Sequence, residues 1–153
     1  MKHKLIVQLM YSAGLRVNEA VSLRREDFEI DRGIGWVRNG KFRKDRMFII
    51  AKSIEEELRE WIKDQDSFVF KGRNGHLTTR SVQEFVKAAA KEAKIDKRVR
   101  PHTLRHSFAT HLIENGYDVA TVQSLLGHSS PNTTMVYVHT ASPTMLSVRS
   151  PLD

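Results

Sequence analysis

His102 and Arg105 stand three residues apart in the segment Pro101-His-Thr-Leu-Arg-His106, where Leu104, Phe108 and Leu112 recur at helical spacing. Positions i and i+3 share one face of a helix. Pro101 suits the first position of that helix, so the imidazole and the guanidinium fall near an end whose backbone N–H groups already favour an anion. The plainer reading of the pair alone is a solvated polar face beside a core stripe. His102 and His106 also sit four apart, a spacing that zinc sites use. The metalloprotease pattern needs Glu directly after its first His, and Thr103 holds that position. No acidic cluster lies near, so no metal is assigned. His106 and His111 read as packing or hydrogen-bonding residues.

Four more positions carry chemistry-bearing groups. Arg16 follows the Gly14 turn, with Glu19 three residues on as a local ion-pair partner. Lys41 follows Gly40 in a basic connection and, taken alone, is an exposed hairpin charge. His128 follows Gly127 at a helix end, where an imidazole suits the dipole. Tyr137 lies among Met135, Val136 and Val138, a setting in which a lone tyrosine is ordinarily structural.

These groups sit on a chain of 153 residues, enough for one compact domain. It has no cysteine, which excludes disulfides, thiolate metal sites and cysteine nucleophiles together. The formal charge of +7 and pI near 9.9 point to nucleic acid or an anionic surface as partner. The positive residues cluster in Arg38–Arg46 and Lys91–Arg105, which favours a binding face over an evenly solvated surface. No run approaches the ~18 apolar residues of a membrane span, and the N-terminal residues lack a signal-peptide core.

The elements that must position these residues follow from periodicity. Leu5, Ile6, Leu9, Met10 and Ala13 predict a helix over 3–13 that Gly14 ends. A second helix is expected over 17–23. Ile34–Arg38 and Arg46–Ala51 read as two strands around the basic connection, with Phe28–Ile30 as a short third. Ser53 and Glu56 form a capping box that opens a helix to Lys63. Further helices are expected over 79–94, 102–114 and 118–127, with another from Ser130-Pro131 that carries Tyr137. Ser67 to Gly75 reads as a short extended piece and a turn. The expected fold class is α+β, mainly α-helical with a small antiparallel β-sheet, in a single domain over 1–153.

Taken together and in order, Arg, Lys, His-x-x-Arg, Gly-His and Tyr resemble the signature of the tyrosine recombinases, the phage integrase family, most closely the Xer type. The resemblance runs through Gly14-Leu-Arg16, Leu104-Arg-His-Ser-Phe-Ala-Thr-His111, Leu125-Leu-Gly-His128-Ser-Ser and Thr133-Thr-Met-Val-Tyr137, covering about Leu9 to His139. It implies the fold of recombinase and type IB topoisomerase catalytic domains. It also implies an active site of Arg16, Lys41, His102, Arg105, His128 and Tyr137, with Glu19 supporting the first arginine. The family hairpin often reads Gly-Lys-Gly-x-Lys, whereas this one reads Gly40-Lys-Phe-Arg-Lys44, which makes Lys44 a rival for the lysine role. The resemblance further implies that residues 1–153 are the catalytic domain alone, without the family's separate N-terminal core-binding domain.

The implied reaction is metal- and ATP-independent cleavage and rejoining of DNA through a 3′-phosphotyrosine, with no cofactor. Two arginines are suited to clamp a phosphate because each stays charged and donates in a fork. His102 is the candidate proton acceptor, His128 a further donor, and Lys41 the candidate acid for the leaving oxygen. Arg38, Arg43, Lys44, Arg46, Arg98 and Arg100 are expected to contact DNA phosphates. Double-stranded DNA is the expected partner, with a homo-oligomer, a tetramer of the full-length protein, on paired sites. Without DNA the chain is expected to be monomeric or weakly associated. The location implied is cytoplasmic and nucleoid-associated. Other readings are type IB-like relaxation and a non-catalytic DNA-binding module on the same scaffold. The tail from Ser142, with Met145, Leu146, Val148 and Leu152, is expected to dock on a neighbouring subunit during assembly.

Overall fold

The computed structural model describes residues 1–38, 45–127 and 143–153. Helix α1 (Lys2–Ala13) buries Leu5, Ile6, Leu9, Met10 and Ala13, and Gly14 closes it in the left-handed region at φ 67°. A Cβ at Gly14 would stand 2.4 Å from a Phe108 ring carbon, so glycine is required there both for backbone angle and for close approach. A short helix α2 (Val17–Val21) follows. Three antiparallel strands come next, β1 (Phe28–Glu29), β2 (Ile34–Val37) and β3 (Arg46–Ile49), in spatial order β1-β2-β3. Their register pairs Gly35 with Phe48 and Val37 with Arg46. The piece expected to be a single extended run with a turn is a second small hairpin, β4 (Lys71–Gly72) with β5 (Gly75–His76).

Four longer helices complete the described chain. They are α3 (Lys52–Lys63), α4 (Thr79–Glu92), α5 (Pro101–Glu114) and α6 (Val119–Leu126). Thr78 caps α4 by accepting from the Ser81 N–H, and Asp118 caps α6 by accepting from the Thr121 N–H at 2.7 Å. Alternation along β3 divides the interior in two. Met47 and Ile49 join Phe108, Leu112, Val122, Leu125 and Leu126 in one apolar cluster, while Phe48 and Ile50 join α1, α3 and α4 in the larger one. The sheet is thus packed on both faces, which holds the base of its β2–β3 connection firmly.

One expectation about local structure is corrected. The Ser53–Glu56 capping box does not form, because α3 begins at Lys52 and Ser53 already lies inside it. The side chain of Asp153 supplies the cap instead, accepting from the N–H groups of Lys52 and Ser53 at 3.1 and 2.9 Å. In the single chain the tail after the helical turn Pro143–Leu146 packs in cis. Met145 and Val148 enter the second cluster, and the Ser150 hydroxyl donates to the Ser12 carbonyl at 2.8 Å.

Asp153→Ala removes a carboxylate from a helix N-terminus and frees two backbone donors to solvent. The expected loss is about 1 kcal/mol, typical of an N-cap deletion. For a domain of this size that is a fall in melting temperature of roughly 2–4 °C. An unchanged melting curve on thermal unfolding of the variant refutes the cap.

Candidate active site

The Gly14 turn delivers Arg16 to the N-cap of α2, and Glu19 folds back over the same helix start. The Arg16 backbone N–H donates to Glu19 Oε1 at 2.8 Å. The Arg16 side chain stays 51% exposed, whereas that of Glu19 is only 10% exposed. From β3, Arg46 Nη2 donates to both Glu19 oxygens at 2.7 and 2.6 Å, and Nη1 donates to the Leu125 carbonyl at 2.9 Å. From α5, Arg105 donates through Nη1 to the Gly14 carbonyl and through Nη2 to the Leu126 carbonyl, each at 2.6 Å. The carbonyls at the end of α6 have no partner within their own helix, and their dipole end favours cations. Two arginines therefore tie α1, α2, β3, α5 and α6 together at one point.

Three guanidiniums surround one carboxylate. Arg105 Nη1 and Arg16 Nη1 approach Glu19 Oε1 at 3.8 and 3.9 Å, beyond hydrogen-bonding range, while Arg46 makes the close contacts. Burial pushes the Arg105 guanidinium down to about 10, with Arg16 and Arg46 adding to the shift and Glu19 opposing it. Arg46 is lowered for the same leading reason, and there Glu19 offsets more of the penalty. Both remain charged at neutral pH. Among the described residues the cluster sets one carboxylate against three cations. An incoming phosphate would relieve that imbalance.

The remaining expected site residues are placed as follows. His102 is exposed in the first turn of α5, and Arg98 and Arg100 are exposed just before that helix. The pair His102 and Arg105 is split by depth, since Arg105 is only 4% exposed. Arg38 is half-exposed, held by Asp27 at 2.8 Å, and lines an open cleft together with Arg16 and Glu19. Arg46, expected as a DNA contact, has a side chain that is 10% exposed and committed to Glu19 and Leu125. Lys41, Arg43, Lys44, His128 and Tyr137 lie outside the described residues.

Gly127, which ends α6 directly before His128, adopts φ 73°, and a Cβ there would stand 2.7 Å from Arg46 Cδ. The end of α6 consequently packs directly on the Arg46 side chain.

The Phage integrase family model matches residues 1–143, and the chain belongs to that family. It is 41% identical over 143 residues to the tyrosine recombinase XerA of Thermococcus kodakarensis, a match that covers 89% of this chain and 50% of that protein. Among solved structures, the integrase of mycobacterium phage Brujita superposes with a TM-score of 0.83 at 26% identity, over 99% of this chain and 52% of that one. The XerH site-specific recombinase bound to its difH substrate superposes with a TM-score of 0.74 at 28% identity, over 90% and 42%. The chain spans about half the length of the curated relatives it matches. The mainly helical fold with small antiparallel sheets is that of tyrosine recombinase catalytic domains. No helix among the described residues is long and apolar enough to cross a membrane.

Proposed function

We propose that residues 1–153 are the catalytic domain of a site-specific DNA recombinase that cleaves and rejoins strands through a 3′-phosphotyrosine at Tyr137. The observation that carries this reading is the cluster of Arg16, Arg105 and Arg46 around Glu19, three cations about one carboxylate among the described residues. The transition state of phosphodiester cleavage gathers negative charge on the non-bridging oxygens. Arg16 presents an exposed guanidinium to it, and Arg105 a buried one fixed by two backbone carbonyls. Fixed donors need no rearrangement when charge develops, and removal of one such donor costs about 3–4 kcal/mol of transition-state stabilisation.

Within this reading His102 accepts the tyrosine proton, His128 donates to the phosphate, and Lys41 protonates the leaving 5′-oxygen. Arg38, Arg43, Lys44, Arg98 and Arg100 contact flanking phosphates. The partner is double-stranded DNA, in keeping with the DNA-bound XerH structure. The full-length protein acts as a homo-oligomer on paired sites in the cytoplasm, at the nucleoid. The isolated chain, whose tail is satisfied in cis, is monomeric or weakly associated without DNA.

The test is incubation with a nicked suicide substrate, from which the short fragment bearing the free 5′-hydroxyl diffuses away, and denaturing electrophoresis for a protein–DNA adduct. A stable adduct formed in chelator supports the reading. A chain that binds DNA without ever forming one sinks the catalytic reading and leaves the non-catalytic binding module.

A further inference from the structure

Glu19 presents a problem that Arg46 solves. A carboxylate within 4 Å of Arg16 and Arg105 is a built-in competitor for the phosphate those two arginines would hold. Left without Arg46, it would form close ion pairs with one or both. The observed arrangement prevents this, since Arg46 Nη2 bridges both Glu19 oxygens while the guanidinium nitrogens of Arg16 and Arg105 stay at 3.9 and 3.8 Å, out of hydrogen-bonding range. Arg46 itself is turned away from solvent, and Nη1 is committed to the Leu125 carbonyl. Its Nε is buried without an acceptor among the described residues. That arrangement costs desolvation, so it is poorly explained as a device for stability alone.

We propose that Arg46 is a positioning residue that neutralises Glu19 and so keeps Arg16 and Arg105 electrostatically available to the scissile phosphate. The inference rests on the proposed strand-cleavage function. It assigns Arg46 no contact with DNA, which separates it from an ordinary phosphate-binding arginine. Its effect passes through Glu19, so the loss of Arg46 should be repaired by removing the charge that Arg46 balances.

The experiment uses the full chain and compares Arg46→Gln, Arg46→Lys, Glu19→Gln and the double variant Glu19→Gln/Arg46→Gln. Each is assayed for binding to an intact single-site duplex, for single-turnover adduct formation on the suicide substrate, and for thermal unfolding. Arg46→Gln should slow cleavage about 30-fold or more while changing DNA affinity less than about threefold, because an unbalanced carboxylate at this distance acts on the developing charge. Arg46→Lys keeps the cation and should recover most of the rate. The double variant restores the charge of the cluster with a neutral amide pair and should cleave at least about fivefold faster than Arg46→Gln, a coupling of the size expected for groups in contact. If Arg46→Gln does not fold, the other two still decide the matter, since Arg46→Lys must keep most of the parental rate and the double variant must cleave within about sixfold of it. A double variant as slow as or slower than Arg46→Gln overturns the inference, as does a loss of affinity that accounts for the whole loss of rate. Absence of adduct from the unaltered chain overturns the functional reading itself, whereas a normal adduct rate in Arg46→Gln overturns only this one.

Discussion

Tyr137→Phe is expected to abolish covalent attachment to DNA while single-site binding stays within about twofold, because one oxygen is lost and the aromatic ring is kept. No other group replaces the missing nucleophile, so the loss should reach the assay floor. The chain has three tyrosines, and the two others have visible structural duties. The Tyr11 hydroxyl hydrogen-bonds His111 Nδ1 at 2.6 Å, joining α1 to α5, and burial raises its pKa, which opposes formation of a phenolate. The Tyr117 hydroxyl accepts from the Arg149 N–H at 2.9 Å and so helps hold the tail. Tyr11→Phe and Tyr117→Phe should each lose some stability and keep the adduct. An adduct that survives in Tyr137→Phe and vanishes in either of the others refutes the assignment on a denaturing gel.

The sequence is most informative where structure is local. The apolar spacing from Leu5 to Ala13 and the following glycine specify α1, because hydrogen bonding and cap lie within the segment. Asp118 as a cap is legible for the same reason. The capping box at Ser53 misleads because a better acceptor, Asp153, arrives from 100 residues away and shifts the helix start. Site residues divide in the same manner. Arg16 and Glu19 are three residues apart and their contact is readable from spacing. The depth of Arg105 is not, since its acceptors are the carbonyls of Gly14 and Leu126, 91 and 21 positions away. Arg46 clusters in sequence with Arg38, Lys41, Arg43 and Lys44, which suggests one solvated basic face. Its burial is not readable from spacing, because its partners Glu19 and Leu125 lie 27 and 79 positions away.

Two lysines compete for the role of general acid. Arg46 is fixed by Glu19 and Leu125, and Arg38 at the other side of the connection is held by Asp27 and Asp45. Lys44 lies two residues from Arg46 and Lys41 three residues from Arg38 in the sequence. Position alone does not separate them, but the chemistry does. The leaving 5′-alkoxide derives from an alcohol whose acidity is comparable to that of water, with a pKa near ~15.7, so its departure needs a proton. Sulfur in that bridging position leaves as a thiolate, whose conjugate acid has a pKa of roughly 8.5. Lys41→Ala should therefore slow cleavage of ordinary DNA by about 10²–10⁴-fold, the range of general acid catalysis, and slow a 5′-bridging phosphorothiolate substrate far less. Lys44→Ala should show a smaller defect that is not rescued by sulfur. Its loss should appear as weaker binding with a shallower dependence on salt, as for one lost phosphate contact. Single-turnover rates on the two substrates, with each variant, give the comparison directly. Sulfur rescue in Lys44→Ala with none in Lys41→Ala would exchange the two roles, and rescue in neither would remove general acid catalysis from this hairpin.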